Sequence, residues 1–417
     1  MNAPDAKRGR HLTRAKGLRA LTGGLFARGF DRIVDRIDRG FEFGTVEGVL
    51  PDGSVRIVGG RGPGPMAHIT IHHWNALFRL VRGGSIGWYE AWAAGEWSST
   101  DPVLIFDLFM RNRVKLGNVG RPSGLAKIVG KIVHRLRDNS RSGARRNIEA
   151  HYDLGNDFYA AWLDRSMTYS SALFAEPVSA DEPLEAAQAR KIETLLARLD
   201  LKPGDFLLEI GCGWGSLAEI AVEKHRVIYE GITLSATQKS YTNARLKMAP
   251  QASAELTDYR DVAGTFDAIA SVEMVEAVGQ RYWPDYLATL SRCLKPGGRA
   301  AIQYIRIEDD VFDAYAFGTD FIQHYIFPGG MLLSESRFRA LANANGLSWQ
   351  DQHDFGLHYA ETLKRWRTRF DAAVEQGGLP SGFDEKFISL WRYYLMYCEG
   401  GFRGGGINVA QVTLVKQ

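Results

Sequence analysis

The chain has 417 residues, more than one ordinary hydrophobic core accommodates, so two domains are expected. Its 45% hydrophobic and 24% charged residues are those of a globular protein, and no uninterrupted apolar run is long enough to span a bilayer. A net charge of +3 is too small to imply nucleic acid, and three scattered cysteines (Cys212, Cys293, Cys398) exclude a disulfide framework or a zinc cluster.

The N-terminus is basic (Lys7, Arg8, Arg10, Arg14, Lys16, Arg19) and lacks the apolar stretch of a secretory signal, so a cytoplasmic location is expected. From Phe41 to about Ile71 the pattern is β-like: Thr45 to Val49, a Pro51-Asp52-Gly53 turn, then Ser54 to Val58. A helical stretch from His73 to Arg82, a Gly83-Gly84 break and a second helical stretch through Trp97 complete a small α+β domain over residues 1–122. His68, His72 and His73 read as strand and loop residues, and no metal site is expected. Residues 123–146 form a basic linker: Leu125, Ile128, Val129, Ile132, Val133 and Leu136 repeat at helical spacing, with Lys127, Lys131, Arg135 and Arg137 on other faces. Such a helix either buries its apolar stripe against a domain or lies on anionic lipid.

Over residues 147–417 strands alternate with helices, the pattern of an α/β domain with a mostly parallel sheet. The predicted strands are Phe206 to Ile210, Arg226 to Tyr229, Phe266 to Val272, Arg299 to Ile305 and a terminal Val409 to Val415. After the first comes Glu209-Ile210-Gly211-Cys212-Gly213-Trp214-Gly215. Glycines at a strand-turn-helix junction let the backbone approach a ligand, or simply make a tight turn. Trp214-Gly215-Ser216 lacks the lysine of a phosphate-binding P-loop. The spacing of Glu209, Gly211, Gly213 and Gly215 resembles the nucleoside loop of class I S-adenosylmethionine-dependent methyltransferases. Thr233 and Gln238 follow the second strand where a ribose would bind, although N-capping by Ser235 explains part of that pattern. Asp258 and Tyr259 lie where a third loop would meet adenine; an exposed polar turn has the same composition.

The segments His151 to Tyr159, Met167 to Ala172, Ser271 to Gly279, Tyr325 to Gly330 and Gln411 to Lys416 together resemble the cyclopropane-fatty-acyl-phospholipid synthases and the related mycolic acid cyclopropane synthases. The resemblance covers Arg145 to Gln417, and more loosely the first domain through Ile86 to Ala91. It implies a Rossmann-like class I methyltransferase domain with a seven-stranded sheet, preceded by the small N-terminal domain. It implies S-adenosylmethionine as cofactor and the methylenation of a cis double bond in unsaturated phospholipid acyl chains. The resulting carbocation would lose a proton to a bound bicarbonate ion, held by Glu276 and Tyr359 with the backbone of Ile305 and of Ser171. Glu276 is then expected to have a raised pKa. Tyr169 and Ser170 would contact the cofactor, and Tyr152, Tyr169 and Phe327 would line the cofactor or cation region.

Three residues depart from the family pattern. Ser171 replaces a cysteine, Ala277 a histidine, and Gln303 another histidine, whose amide can donate to bicarbonate but cannot titrate. The departures leave methyl transfer intact and open a second outcome, a methyl-branched, methylene or furan-precursor fatty acid. A non-catalytic lipid-binding protein is the reading from another class. Phospholipid acyl chains at the inner face of the membrane are the expected partner, with peripheral attachment, no nucleic acid, and a homodimer as the default assembly.

Overall fold

The computed structural model describes residues 24–117, 143 and 154–417. Tyr152 and the linker helix expected over 125–136 lie outside the described residues.

The chain divides into two compact units that interleave in sequence: residues 1–133, 313–324 and 384–406 form one, and residues 134–312, 325–383 and 407–417 the other. The first unit carries β1 (Phe43–Val49), β2 (Val55–Gly59), β3 (Gly62–Ile71) and the short β4 (Trp97–Ser98), in the order β2-β1-β3-β4. The β1-β2 hairpin closes at Gly53, whose N–H reaches Leu50 O at 2.8 Å with φ +79°. The predicted Gly83-Gly84 break is a kink inside one helix, Asn75–Ala93, with Gly84 at φ 59°. Trp97, expected to end a helix, is in β4 and stacks on Trp88 at 4.5 Å.

The contiguous boundaries expected from the sequence are corrected by the helix Glu385–Arg403, which belongs with the first unit. It packs on the helix Pro102–Arg111, where any Cβ at Gly400 would collide with Phe106. Tyr393 joins Tyr89, Phe106 and Phe321 in one aromatic cluster with centroids 4.7 to 5.3 Å from its own. These contacts need residues nearly 300 positions apart (Arg111 and Arg403); local sequence pattern does not carry such information.

The second unit holds β5 (Phe206–Ile210), β6 (Ile228–Thr233), β7 (Ala252–Leu256), β8 (Phe266–Val272), β9 (Leu294–Ile307), β10 (Leu333–Ser334), β11 (Leu347–Asp354) and β12 (Ile407–Lys416). Seven of them run in the order β11-β12-β9-β8-β5-β6-β7, and β10 pairs with β9 off that path. β5 to β9 pair in parallel, while β12 is antiparallel to β9 and to β11. β5 and β8 match their predicted limits; β7 and β11 have exposed, polar faces and escaped the pattern. The core packs Ile192, Leu195 and Leu196 of the helix Leu184–Ala197 against Leu207, Ala268 and Ala301 of the sheet.

Candidate active site

From β5 the chain winds outward through β6 and β7, and on the other side through β8 and β9. The strand order therefore reverses between β5 and β8, and the crevice at their carboxyl ends is where such sheets bind ligands. Two loops open there, Gly211–Gly215 and Glu273–Ala277.

In the first loop Gly211, Gly213 and Gly215 have φ of +87°, +52° and +83°. A Cβ on Gly211 would lie 2.8 Å from Met274 Cγ, and one on Gly215 2.8 Å from Thr242 Cγ2, whereas one on Gly213 would meet nothing within 4 Å. Packing thus demands two of the glycines, and the third keeps a face of the turn open, a cradle suited to a nucleoside cofactor. Glu209 is 3% exposed and accepts a hydrogen bond from the Tyr229 hydroxyl. Burial pushes its carboxyl up to about 8, against the opposing pull of Tyr229 and Lys191.

After β6 the Thr233 hydroxyl donates to Gln238 Oε1 at 2.8 Å and accepts Ser235 N–H at 3.1 Å, while Ser235 Oγ caps the helix Ala236–Arg245. Thr233 and Gln238 are therefore bound to each other within the turn rather than standing as two independent contacts. After β7 the Asp258 carboxylate accepts Arg260 Nε at 2.8 Å, and Tyr259 meets Tyr286 edge-on.

The second loop carries the unexpected feature. The register pairs Val272 of β8 with Gln303 of β9, and Gln303 with Gln411 of β12. Glu273, next in line, accepts Ser171 N–H (2.9 Å) and Gln303 Nε2 (2.8 Å) on Oε1 and the Tyr359 hydroxyl (2.7 Å) on Oε2. Gln411 Nε2 donates to Gln303 Oε1 at 3.0 Å, which orients the Gln303 amide with its nitrogen toward Glu273. The helix Gly356–Glu375 supplies Tyr359 and, one turn on, Thr362, whose Oγ1 accepts Ala172 N–H at 3.1 Å and so anchors the Ser171 segment. Glu273 itself has φ +49°, a left-handed conformation that costs a glutamate about 1 kcal/mol.

Glu276 takes a different partner: its Oε1 accepts Ile305 N–H, and its Oε2 is enclosed and accepts no hydrogen bond among the described residues. Burial first, and then the charge of Glu273, push its carboxyl up to about 8, as expected. Burial also raises the Glu273 carboxyl, and Tyr359, Ser171 N–H, Gln303 and Lys191 oppose that rise.

The donor set assigned to bicarbonate is thereby corrected. Ser171 N–H, Gln303 and Tyr359 converge on the Glu273 carboxylate, and Ile305 N–H is taken by Glu276. These residues do not fit a bicarbonate ion, because a carboxylate of the chain already holds their protons. Ser170, expected to contact the cofactor, is bound to the helix Leu184–Ala197. It is 4% exposed and its hydroxyl accepts from Lys191 Nζ at 2.6 Å, an acceptor that a buried ammonium requires. Tyr169 joins an aromatic group with Tyr159, Trp162 and Trp366, centroids 5.3 to 5.5 Å away, and Tyr159 in turn meets Trp214 of the glycine turn at 5.0 Å. The Phe327–Gly330 turn borders the second loop, with Met331 N–H donating to Glu276 O at 2.7 Å.

The profile of the mycolic acid cyclopropane synthetase family matches residues 139–412. The chain belongs to that family. It is 40% identical over 370 residues to a tuberculostearic acid methyltransferase of Mycobacterium tuberculosis, covering 84% of this chain and 83% of the relative. It is 32% identical over 359 residues to a cyclopropane-fatty-acyl-phospholipid synthase of Escherichia coli, covering 83% and 87%. Among solved structures it is similar to a mycolic acid cyclopropane synthase complexed with SAH and CTAB, with TM-score 0.61, 31% identity, 65% of this chain and 98% of that one. This member of the family is therefore an S-adenosylmethionine-dependent, lipid-modifying methyltransferase with the α/β fold read from its sequence.

Sequence reasoning named Glu276, Gln303, Tyr359, Ile305 and Ser171, and the fold does bring them together. It passed over Glu273 and Lys191. Glu273 stands inside the quoted Ser271–Gly279 motif, but nothing in the motif tells which of its two glutamates meets the donors. Lys191 carried a signal: it sits on the apolar stripe Leu184, Ala187, Ile192, Leu195 of a helix, where a lysine is out of place.

Proposed function

We propose that the chain methylates the double bond of an unsaturated fatty acyl chain, and that Glu273 takes the proton lost from the cationic intermediate to leave a methylene branch. The observation that carries this reading is the convergence of Ser171 N–H, Gln303 and Tyr359 on Glu273. The glycine turn at Gly211, Gly213 and Gly215, with Glu209 beneath its strand end, the Thr233–Gln238 turn, the Asp258–Tyr259 loop and Tyr169, is the cofactor site in this reading.

Bound S-adenosylmethionine supplies a methyl group as an electrophile, its sulfur keeping the bonding pair. The alkene carbon that takes the methyl group leaves its neighbour cationic. A hydride shift onto that neighbour from the methylated carbon moves the charge to the latter, and loss of a methyl proton to Glu273 then forms a C=CH2 branch on the chain. Without the shift, loss of the same proton closes a cyclopropane. The two products share one base and differ in how long the cation survives. Aromatic faces such as Tyr169 and Phe327 lengthen that life. Three donors on Glu273 spread its charge and weaken it as a base, which favours the shift over immediate ring closure. The similarity to a tuberculostearic acid methyltransferase supports methylation of a fatty acyl chain.

The acyl chains belong to membrane phospholipids in this reading, and the protein works from the membrane surface; no described helix is long and apolar enough to cross a membrane. The test is incubation of purified protein with oleoyl phospholipid and methyl-labelled cofactor, followed by mass spectrometry before and after mild hydrogenation. A labelled product that gains two hydrogens is expected. A labelled product that resists hydrogenation is a cyclopropane and overturns the methylene assignment; no label in lipid overturns the reaction.

A further inference from the structure

We propose that Lys191 is a positioning residue of the methyl-transfer site, a buried ammonium that fixes the Ser170–Ser171 segment and gives the Glu273 carboxylate a positive neighbour. The inference rests on Glu273 acting as the base.

Lys191 lies on the helix Leu184–Ala197 and is 1% exposed. An ammonium in such surroundings is costly unless it is hydrogen-bonded and faces opposite charge. Its Nζ donates to Ser170 Oγ at 2.6 Å, and from the previous turn Gln188 Nε2 donates to Ser170 O at 2.9 Å. One face of the helix therefore holds the hydroxyl and the carbonyl of Ser170. The N–H of the very next residue, Ser171, is a donor to Glu273. A shift of the segment would move that donor.

The electrostatics run the same way. Three carboxylates face Lys191, those of Glu273, Asp164 and Glu209, and none forms an ion pair with it among the described residues. Burial lowers the Lys191 ammonium to about 8, and Glu273, Asp164 and Glu209 oppose that fall. Gln303 stands where a titrating histidine would otherwise be and brings no charge. Among the described residues Lys191 is thus the cation acting on Glu273, whose own charge in turn raises Glu276. Its backbone carbonyl serves the site too, accepting Gln411 Nε2 at 3.1 Å while the same amide group donates to Gln303.

The test uses the full chain, vesicles of dioleoyl phosphatidylglycerol and labelled cofactor, with Lys191→Met, Ser170→Ala and Glu273→Gln measured side by side. Lys191→Met is expected to lower kcat at pH 7 about tenfold or more, to change KM for the cofactor less, and to move the acidic limb of the pH profile to higher pH. Ser170→Ala keeps the ammonium and is expected to lower kcat without moving that limb. Should Lys191→Met fail to fold, Lys191→Gln keeps a donor to Ser170 without the charge and is expected to move the limb as well. An acidic limb that coincides with that of the unmodified protein, beside an inactive Glu273→Gln, overturns the role of Lys191 alone. An active Glu273→Gln overturns the base assignment and this proposal with it.

Discussion

The Tyr359 hydroxyl donates to Glu273 Oε2 over 2.7 Å, while the neighbouring carboxylate of Glu276 is bound by Ile305 N–H instead. Two glutamates three positions apart on one loop are thus given different surroundings. Burial raises the Glu273 carboxyl, and three donors and a nearby ammonium oppose that rise. Burial, and then the charge of Glu273, favour the acid form of Glu276, whose enclosed Oε2 has no donor among the described residues. The proposed base and its neighbour thus differ by environment alone.

Glu273→Gly should separate activity from stability. The change frees a residue held at φ +49°, worth about 1 kcal/mol, but leaves the donors of Ser171, Gln303 and Tyr359 without their acceptor, at about 1 kcal/mol or more each, so the folded state is expected to persist with thermal unfolding at a lower temperature. Methyl transfer is expected to fall by a factor of about 100 or more. The vacated donors of Ser171, Gln303 and Tyr359 should then accept an external carboxylate. Partial recovery of turnover on adding formate or bicarbonate, measured against chloride at equal ionic strength, is the expected outcome.

Tyr359→Phe removes one donor and leaves the ring in its contact with Trp366, 6.1 Å between centroids. Stability should drop by about 1 kcal/mol. The Glu273 carboxyl, which Tyr359 holds down, should titrate higher, so kcat at neutral pH falls roughly tenfold to a hundredfold and the acidic limb of the rate profile moves upward. A pH-rate series on the variant checks both.

Glu276→Gln should stabilise the protein increasingly as pH rises. The Glu276 carboxyl is raised from 4.5 to about 8 in the folded state, so between those values the folded chain keeps a proton that the unfolded chain has released. Its penalty is absent below the lower value, grows as pH rises through the window and is complete above the upper one. Removing the group should therefore leave stability little changed at pH 4 and raise it by a few kcal/mol near pH 9, relative to the unmodified protein. Denaturant melts at the two pH values measure the difference.

Gly213→Ala and Gly215→Ala should differ in kind. A Cβ at Gly215 would press on Thr242 at 2.8 Å, whereas one at Gly213 meets nothing within 4 Å. Both variants bear a left-handed alanine costing about 1 kcal/mol, and only Gly215→Ala adds a clash. Gly213→Ala should fold nearly as well yet bind S-adenosylhomocysteine about tenfold or more weakly, because its methyl enters the open face of the turn. Calorimetric titration together with melting temperatures separates the two.

Much of the fold was legible because its signals are local. The apolar run Phe206–Ile210 and the glycines after it specify a strand and a turn by side-chain burial and by backbone freedom at φ > 0. β7 and β11 were missed because Ala252–Leu256 and Leu347–Asp354 show mostly partly buried or exposed residues, and such strands lack a clear alternation. Membership of the helix Glu385–Arg403 in the first unit was not legible, since it depends on the fit of Gly400 to Phe106.

Of the site, the sequence by itself determined the chemical inventory: a glycine turn for a nucleoside cofactor, two glutamates in one motif, an amide in place of a histidine, a tyrosine on a later helix. Only the tertiary structure decided which carboxylate receives the donors. That choice depends on the register Val272↔Gln303↔Gln411 across three strands, and on the helix that places Tyr359 beside the Ser171 segment. A hydrogen bond is satisfied or lost over a few tenths of an ångström, and distances between segments more than 80 residues apart (Glu273 and Tyr359) are set by packing, not by local pattern.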